Sequence, residues 1–260
     1  MIDFCAFERS GEDVVLSDAP GIRNVELAYY DQKQYDDCLN DLQRAVDALK
    51  DTWSPDDPDY RADIYRQTMT SLSYSYFMYF HADAEHPDWA PLWNPVYTLQ
   101  PNPDDIYLYC PISSDYQYKI RGNRGSVYMI TFTTALSSSG LPWENDLVGT
   151  YYNDIDSGDL QVEADGSFEL LLSTEKPAGY AGNWLKIAPG ARVLMTRYRS
   201  YDWENEVDPS MSIECLNPVG LKPRLTPEQI LERIDHMAWM PVRCTRLFYE
   251  MQNAIMRKVG

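Results

Sequence analysis

At 260 residues the chain is long enough for one large domain or two small ones, and a domain of that size buries about three quarters of its unfolded surface. Its 22 basic and 40 acidic side chains give a formal net charge of -18, which repels nucleic-acid phosphates and anionic lipid headgroups, so neither is an expected partner. Cys5, Cys38, Cys110, Cys215 and Cys244 show no CxxC spacing and leave at least one thiol unpaired, the N-terminus lacks the basic start and apolar run of a signal peptide, and no stretch of about 18 uncharged apolar residues occurs; a cytoplasmic, reducing setting is expected.

The first 24 residues carry turn punctuation at Gly11, Asp18, Pro20 and Gly21 around a short apolar piece, Val14-Val15-Leu16. Leu39, Leu42, Val46 and Leu49 then fall at helical spacing, predicting a helix that ends near the Pro-Asp cluster at 55–59. Asp57 or Asp59 is placed to cap a second helix, from Tyr60 to about Phe80, whose apolar stripe is Ile64, Met69, Leu72, Tyr76 and Tyr79.

After His81 short runs of Tyr, Val, Ile and Thr alternate with Gly, Pro, Asn and Asp clusters, the texture of strands and turns. The predicted strands are 96–99, 106–110, 116–121, 127–133, 148–152, 160–163, 168–172, 184–187, 192–198 and 211–216. No helix-length crossover separates them, which favours antiparallel pairing and a sandwich or jelly roll. Ala164-Asp165-Gly166-Ser167 is the firmest turn, because its Asp-Gly pair accepts positive φ. Thr226-Pro227-Glu228-Gln229 opens a final helix with a capping box and a first-turn proline. Its stripe is Ile230, Ile234, Met237, Leu247, Met251 and Ile255, and Pro241 is expected to kink or split it. The predicted organisation is therefore one domain, 1–260, with a helical region 1–90, a β-sandwich 94–216 and a C-terminal helix 226–258. The fold class is mainly β with helical ends, an α+β jelly-roll-like antiparallel sandwich.

The histidines His81, His86 and His236 have no HExxH spacing, so no metal is expected. No phosphate-binding glycine loop and no GxSxG elbow occurs either, and no cofactor is expected. His81, at the junction of helix and sheet, is the general acid or base candidate, against a purely structural role. Cys110 beside Pro111 reads either as an exposed thiol or as a buried small hydrophobe. The chain also holds 20 tyrosines and 7 tryptophans, whose apolar bodies and polar tips suit both sheet packing and amphiphilic pockets.

Two polar clusters stand apart. In Asn102-Pro103-Asp104-Asp105-Ile106-Tyr107-Leu108-Tyr109 a turn delivers a strand whose Tyr107 and Tyr109 share a face. In Arg197-Tyr198-Arg199-Ser200-Tyr201-Asp202-Trp203-Glu204 a strand end is crowded with charge and aromatic rings, where arginine can grip a carboxylate or enolate and the acids can move protons. The same residues also read as an arginine–carboxylate network that holds the sandwich together.

Here the chain resembles the family known as domain of unknown function 1214, often found beside domain of unknown function 1254 in longer bacterial proteins. The resemblance is carried by Asn102-Pro103-Asp104 with Tyr107, by Tyr118 to Gly122 as "Y-x-I-x-G", by Asp165-Gly166-Ser167-Phe168 to Ser173, by Asn183-Trp184-Leu185, and by Arg197-Tyr198 with Asp202-Trp203. It spans about 94–216 and implies a jelly-roll-like sandwich with accompanying helices, without an activity to carry over. The helices before residue 82 are too short to hold the whole companion domain.

From the clusters, the expected function is a cofactor-independent lyase or isomerase acting by acid–base chemistry on a small, mostly apolar metabolite with a carbonyl or hydroxyl group. Tyr107 would orient or protonate the substrate, Arg197 stabilise negative charge, and His81 or Glu204 move the proton. Asn102, Asp104, Tyr109, Trp184, Tyr198 and Trp203 are the substrate-binding candidates. The alternatives are a non-catalytic module binding a sugar or hydrophobic metabolite, and a structural subunit whose C-terminal helix forms a homodimer.

Overall fold

The computed structural model describes residues 57–92, 102–136, 151–217 and 220–259, with Asp37 and Asn40. The predicted helix through Leu39 to Leu49 and the predicted strand 96–99 lie outside the described residues. Helix α1 spans Pro58–Tyr76 and passes into a π-helical turn, Phe77–His81. Among the described residues nine strands follow: β1 Ala90–Pro91, β2 Asp105–Pro111, β3 Tyr118–Asn123, β4 Met129–Ala135, β5 Tyr151–Asp156, β6 Ser167–Ser173, β7 Asn183–Lys186, β8 Val193–Arg199 and β9 Ser210–Cys215. Helix α2 spans Pro227–Val259. Among the described residues no helix is long and apolar enough to cross a membrane.

The strands form two sheets, ordered β1-β2-β8-β4-β5 and β7-β6-β3-β9. Their facing sides alternate as strand geometry demands: Tyr118 and Ile120 on β3, Phe168, Leu170 and Leu172 on β6, Ile130 and Phe132 on β4 and Leu194 on β8 share one buried core. The chain is thus mainly β, a two-sheet α+β sandwich. Gly122 sits where β9 crosses closely, since a Cβ there would lie 2.3 Å from the Ser210 carbonyl oxygen.

Two strand expectations are corrected. Segment 160–163 is not a strand: Leu160 is buried in the core, while the Gln161 N–H donates to the Asn183 side chain and the Gln161 carbonyl accepts from it. The Asp165-Gly166 turn does form, with Gly166 at φ 83° and Asp165 Oδ1 accepting from the Ser167 N–H at 2.9 Å. The pairing is also not all antiparallel, because β7 runs parallel to β6 with Leu170 opposite Asn183. Only a short return is needed, since Leu170 lies three residues back from the end of β6, about 10 Å along the strand, so residues 174–182 suffice without a helix.

Both described helices pack on the outer face of the five-stranded sheet, where Tyr74, Met78, Tyr79, Met240 and Cys244 cover Tyr109, Ala135 and Val193. Asp57 caps α1, its Oδ1 accepting from the Asp59 N–H at 2.9 Å. The buried face of this helical segment matches the predicted stripe only in part, with Tyr79 buried and Leu72 partly so. Met69 and Tyr76 are exposed, and the helix buries Thr68, Ser71, Tyr74 and Ser75 instead, with Met78 following in the π-helical turn. Small hydroxyl residues let α2 approach, and their oxygens are served locally: Ser75 donates to the Leu72 carbonyl at 2.8 Å, and Tyr74 bonds Ser71 at 3.2 Å and the Cys244 sulfur at 3.1 Å.

The capping box of α2 is reciprocal, Gln229 N–H to Thr226 Oγ1 at 3.3 Å and Thr226 N–H to Gln229 Oε1 at 2.9 Å. The helix runs through Pro241 unsplit, and the Arg243 guanidinium reaches back to the His236 carbonyl at 3.3 Å. Ile230, Ile234 and Met237 are partly buried, and Met240 and Cys244 continue their line into the core; the side chains of Leu247, Met251 and Ile255 lie outside the described ones.

The buried face of α1 and its π-helical turn sets an expected outcome. Met78→Ala should cost about 2–5 kcal/mol, whereas Met69→Ala should stay within about 0.5 kcal/mol, as read from urea unfolding midpoints.

Candidate functional site

Strands β2 and β8 pair with Asp105 opposite Arg199 and Tyr107 opposite Arg197, so these four side chains stand on one face, the outer face that carries the helices further along. Asp105 is 0% exposed. Arg199 holds it through two bonds, Nε to Oδ1 at 2.5 Å and Nη2 to Oδ2 at 2.7 Å, and Arg197 adds Nη2 to Oδ2 at 2.7 Å. Asn102 Nδ2 donates to Oδ2 at 2.5 Å, and the Tyr107 hydroxyl donates to it at 3.3 Å. The Arg197 guanidinium carbon lies 5.5 Å from the centre of the Tyr107 ring.

Burial by itself would raise the Asp105 pKa, but the hydrogen bonds from Arg199 and Arg197 outweigh it and hold the carboxyl below the usual range. Burial raises the Tyr107 phenol, so it stays protonated at neutral pH. Two guanidinium groups around one carboxylate leave a local excess of one positive charge. Arg199 is spent on Asp105 and, at 3.4 Å, on Tyr201, while Arg197 uses one nitrogen on Asp105 and its side chain is 32% exposed.

Of the candidates, Asn102, Tyr107 and Arg197 are brought together. Asp104 borders the cluster, its carbonyl accepting from the Ser200 N–H at 3.0 Å. Tyr109 shares their face but is buried under the helices. Tyr198 turns to the interior, where burial, with a smaller effect from Asp208, pushes its phenol up to about 12. Trp184 is on the other sheet, opposite Leu171, and donates its indole N–H to Ser173 at 2.9 Å. Trp203 and Glu204 occupy an exposed turn beyond β8, with Trp203 62% exposed.

His81 does not join the cluster. It ends the π-helical turn with Nε2 3.1 Å from Asp88 Oδ2, and Asp88 lies just ahead of β1, which pairs with the Leu108–Tyr109 part of β2. Cys110 is buried, and burial pushes its thiol up. Among the described residues no group of three or more His, Cys, Asp or Glu side chains could hold a metal.

Asp105 and Arg199 belong to the site without being singled out by the sequence. The available signal was the period of two: Asp105 shares the Tyr107 face of its strand, and Arg199 the Arg197 face.

His86 ties the loop before β1 to the loop before α2, with Nε2 2.8 Å from the Gly220 carbonyl oxygen and Nδ1 3.0 Å from Asp83 Oδ1. The Gly220 carbonyl, and then Asp83, raise its pKa above the ordinary histidine value. Lys222 Nζ donates to the His81 carbonyl at 3.0 Å beside it.

The fold and cluster define a two-sheet α+β sandwich with a helix-covered face and a carboxylate-anchored arginine pair at one strand end. Residues 111–203 match the family model described as protein of unknown function (DUF1214), which includes every motif of the resemblance except Asn102-Pro103-Asp104 with Tyr107. Among solved structures the chain is similar to an uncharacterized protein from Burkholderia cenocepacia, with 24% identity and a TM-score of 0.75 over 84% of this chain, which shows a shared fold. The chain spans 59% of that protein's length. A second match, the VPA0106 protein from Vibrio parahaemolyticus, has 14% identity and a TM-score of 0.35, over 68% of this chain and 52% of that one. No curated protein matches the chain.

Two outcomes follow from the geometry. Asp105→Ala leaves two arginines without their buried counter-charge and should cost about 3–5 kcal/mol. Because the folded pKa of Asp105 is lowered, its contribution is present above the ordinary carboxylate range near 4 and is lost as pH falls through the folded value. Acid-side thermal melts of the parent should therefore show a loss that is absent in Asp105→Ala. His86 has a raised folded pKa, so its contribution is present below about 6.5 and is lost as pH rises through the folded value. Proton NMR titration of the ring should give a midpoint above 6.5, and Gly220 amide exchange should quicken past it.

Proposed function

We propose that the Asp105-anchored arginine pair binds the carboxylate or enolate group of a small, mostly apolar metabolite, with Arg197 as the contact residue. The observation that carries this reading is the division of labour: Arg199 is committed to Asp105 by two bonds, while Arg197 keeps donors beyond its one bond and is partly exposed. A charge held in place by a buried carboxylate loses little freedom when a ligand arrives. The Tyr107 ring beneath the guanidinium offers apolar surface beside the charge.

Binding is favoured over acid–base catalysis because the proton-moving candidates His81 and Glu204 stand elsewhere. Asp105, held ionised by two guanidinium groups, is a poor base. The lyase or isomerase reading rests on Tyr107, whose proton lies next to the arginine that would receive an enolate. The interleaving of sequence-distant strands in both sheets supports a jelly-roll-like description of the sandwich. The unpaired thiols Cys110, Cys215 and Cys244 support a cytoplasmic setting.

Thermal-shift titration with benzoate and phenylpyruvate tests the binding reading against their neutral amide and alcohol analogues. At about 100 times the dissociation constant a ligand adds about 2.7 kcal/mol, a shift of several degrees. Arg197→Ala should weaken binding at least about tenfold and Tyr107→Phe much less. Equal stabilisation of the parent and Arg197→Ala, or of acids and neutral analogues, contradicts the assignment.

A further inference from the structure

A cleft of about 590 Å3, separate from the Asp105 cluster, lies on the four-stranded sheet, within the range of about 300–1,000 Å3 usual for small-ligand sites. Arg121 on β3, Glu169 on β6, Gln161, Glu163, Tyr180 and Gly182 line it. Its walls are braced from within the protein. Arg121 donates to Glu169 at 2.7 Å and to Glu214 at 2.5 Å. The buried Asn183 side chain accepts from the Gln161 N–H at 2.7 Å and donates to the carbonyls of Gln161 at 2.8 Å and Glu169 at 2.9 Å. The Tyr180 phenol lies over Gly182, where a Cβ would come within 2.8 Å of the hydroxyl oxygen, so the absence of a side chain there gives the ring its seat.

The chemistry of the lining selects among ligands. Arg121, with Lys119 3.4 Å from Glu169, offsets the charges of Glu169 and Glu214, and Glu163 adds an unbalanced carboxylate, so a phosphate or carboxylate ligand would meet repulsion. A cationic amine would use the carboxylates and leave the amide and guanidinium donors idle. A hydroxyl group both donates and accepts, and a row of them matches the Gln161 amide, the two glutamates and Arg121 together. The aromatic face of Tyr180 suits the apolar C–H side of a sugar ring. We infer that this cleft binds a neutral oligosaccharide, with Tyr180 as the stacking platform and Gln161 and Glu163 as the hydroxyl readers. The site is independent of the arginine pair on the other sheet.

The test is titration of the full chain with maltotriose, cellotriose and xylotriose, followed by backbone amide chemical shifts, with tyramine and inorganic phosphate as controls. At least one trisaccharide should shift the amides of Gln161, Glu163, Tyr180 and Gly182 saturably, and Tyr180→Ala should weaken that binding by about tenfold or more. Gly182→Ala, which pushes the ring aside while leaving it in place chemically, should act in the same direction and guards against a misfolded Tyr180→Ala. Arg197→Ala should leave sugar binding unchanged. Silence from all three sugars, sugar binding indifferent to both cleft variants, or saturation of these amides by tyramine or phosphate overturns the inference.

Discussion

Asp105 is a carboxylate without solvent exposure, and the register of β2 against β8 sets it opposite Arg199 and two residue pairs from Arg197, on the same face. An isolated buried carboxylate would be expensive, so the two guanidinium groups and Asn102 have to be in place for the strand to sit where it does. A shift of one residue would turn all of these side chains to the other face and into an apolar interior. The ionic cluster therefore fixes the central pair of the five-stranded sheet, and the partial exposure of Arg197 is a consequence of the same geometry.

That face of the sheet is divided by what covers it. Tyr109 and Val193, further along β2 and β8, pack under α1 and α2, Tyr107 borders that apolar cluster, and Asp105 and Arg197 are left to polar company. The helices can lie close because α1 presents Thr68, Ser71 and Ser75 inward, the Ser71 and Ser75 hydroxyls being bonded within the helix. Small residues at a helix contact trade hydrophobic area for proximity, and Tyr74 and Met78 restore the area on either side.

The two polar sites occupy opposite outer faces of the sandwich, separated by the apolar layer of Ile120, Phe132, Leu170 and Leu194. Their electrostatics differ in kind. The arginine pair is a local positive excess within a chain of net charge -18, whereas the cleft on the other sheet carries a small acidic excess. Such an excess attracts anions only at short range, because salt screens the wider field within about 8–10 Å.

The amino-acid sequence by itself determined most of the strands, the caps of both described helices, the Asp165-Gly166 turn and the kinship of the central motifs, because period, capping chemistry and positive φ are local properties. It also marked Asn102, Tyr107 and Arg197, whose residue types announce their chemistry. Tertiary structure alone decided which candidates meet. Trp184 and Tyr198 are strand residues of the same kind as Tyr107, yet sheet membership and strand parity send one to the other sheet and the other into the core. The buried face of α1 was hidden for a related reason: Met69 and Tyr76 are more apolar than Ser71 and Ser75, but the close approach of α2 rewards small size over hydrophobicity. Asp105 became the centre of the cluster only when β8, 92 residues further along the chain, placed two arginines against it.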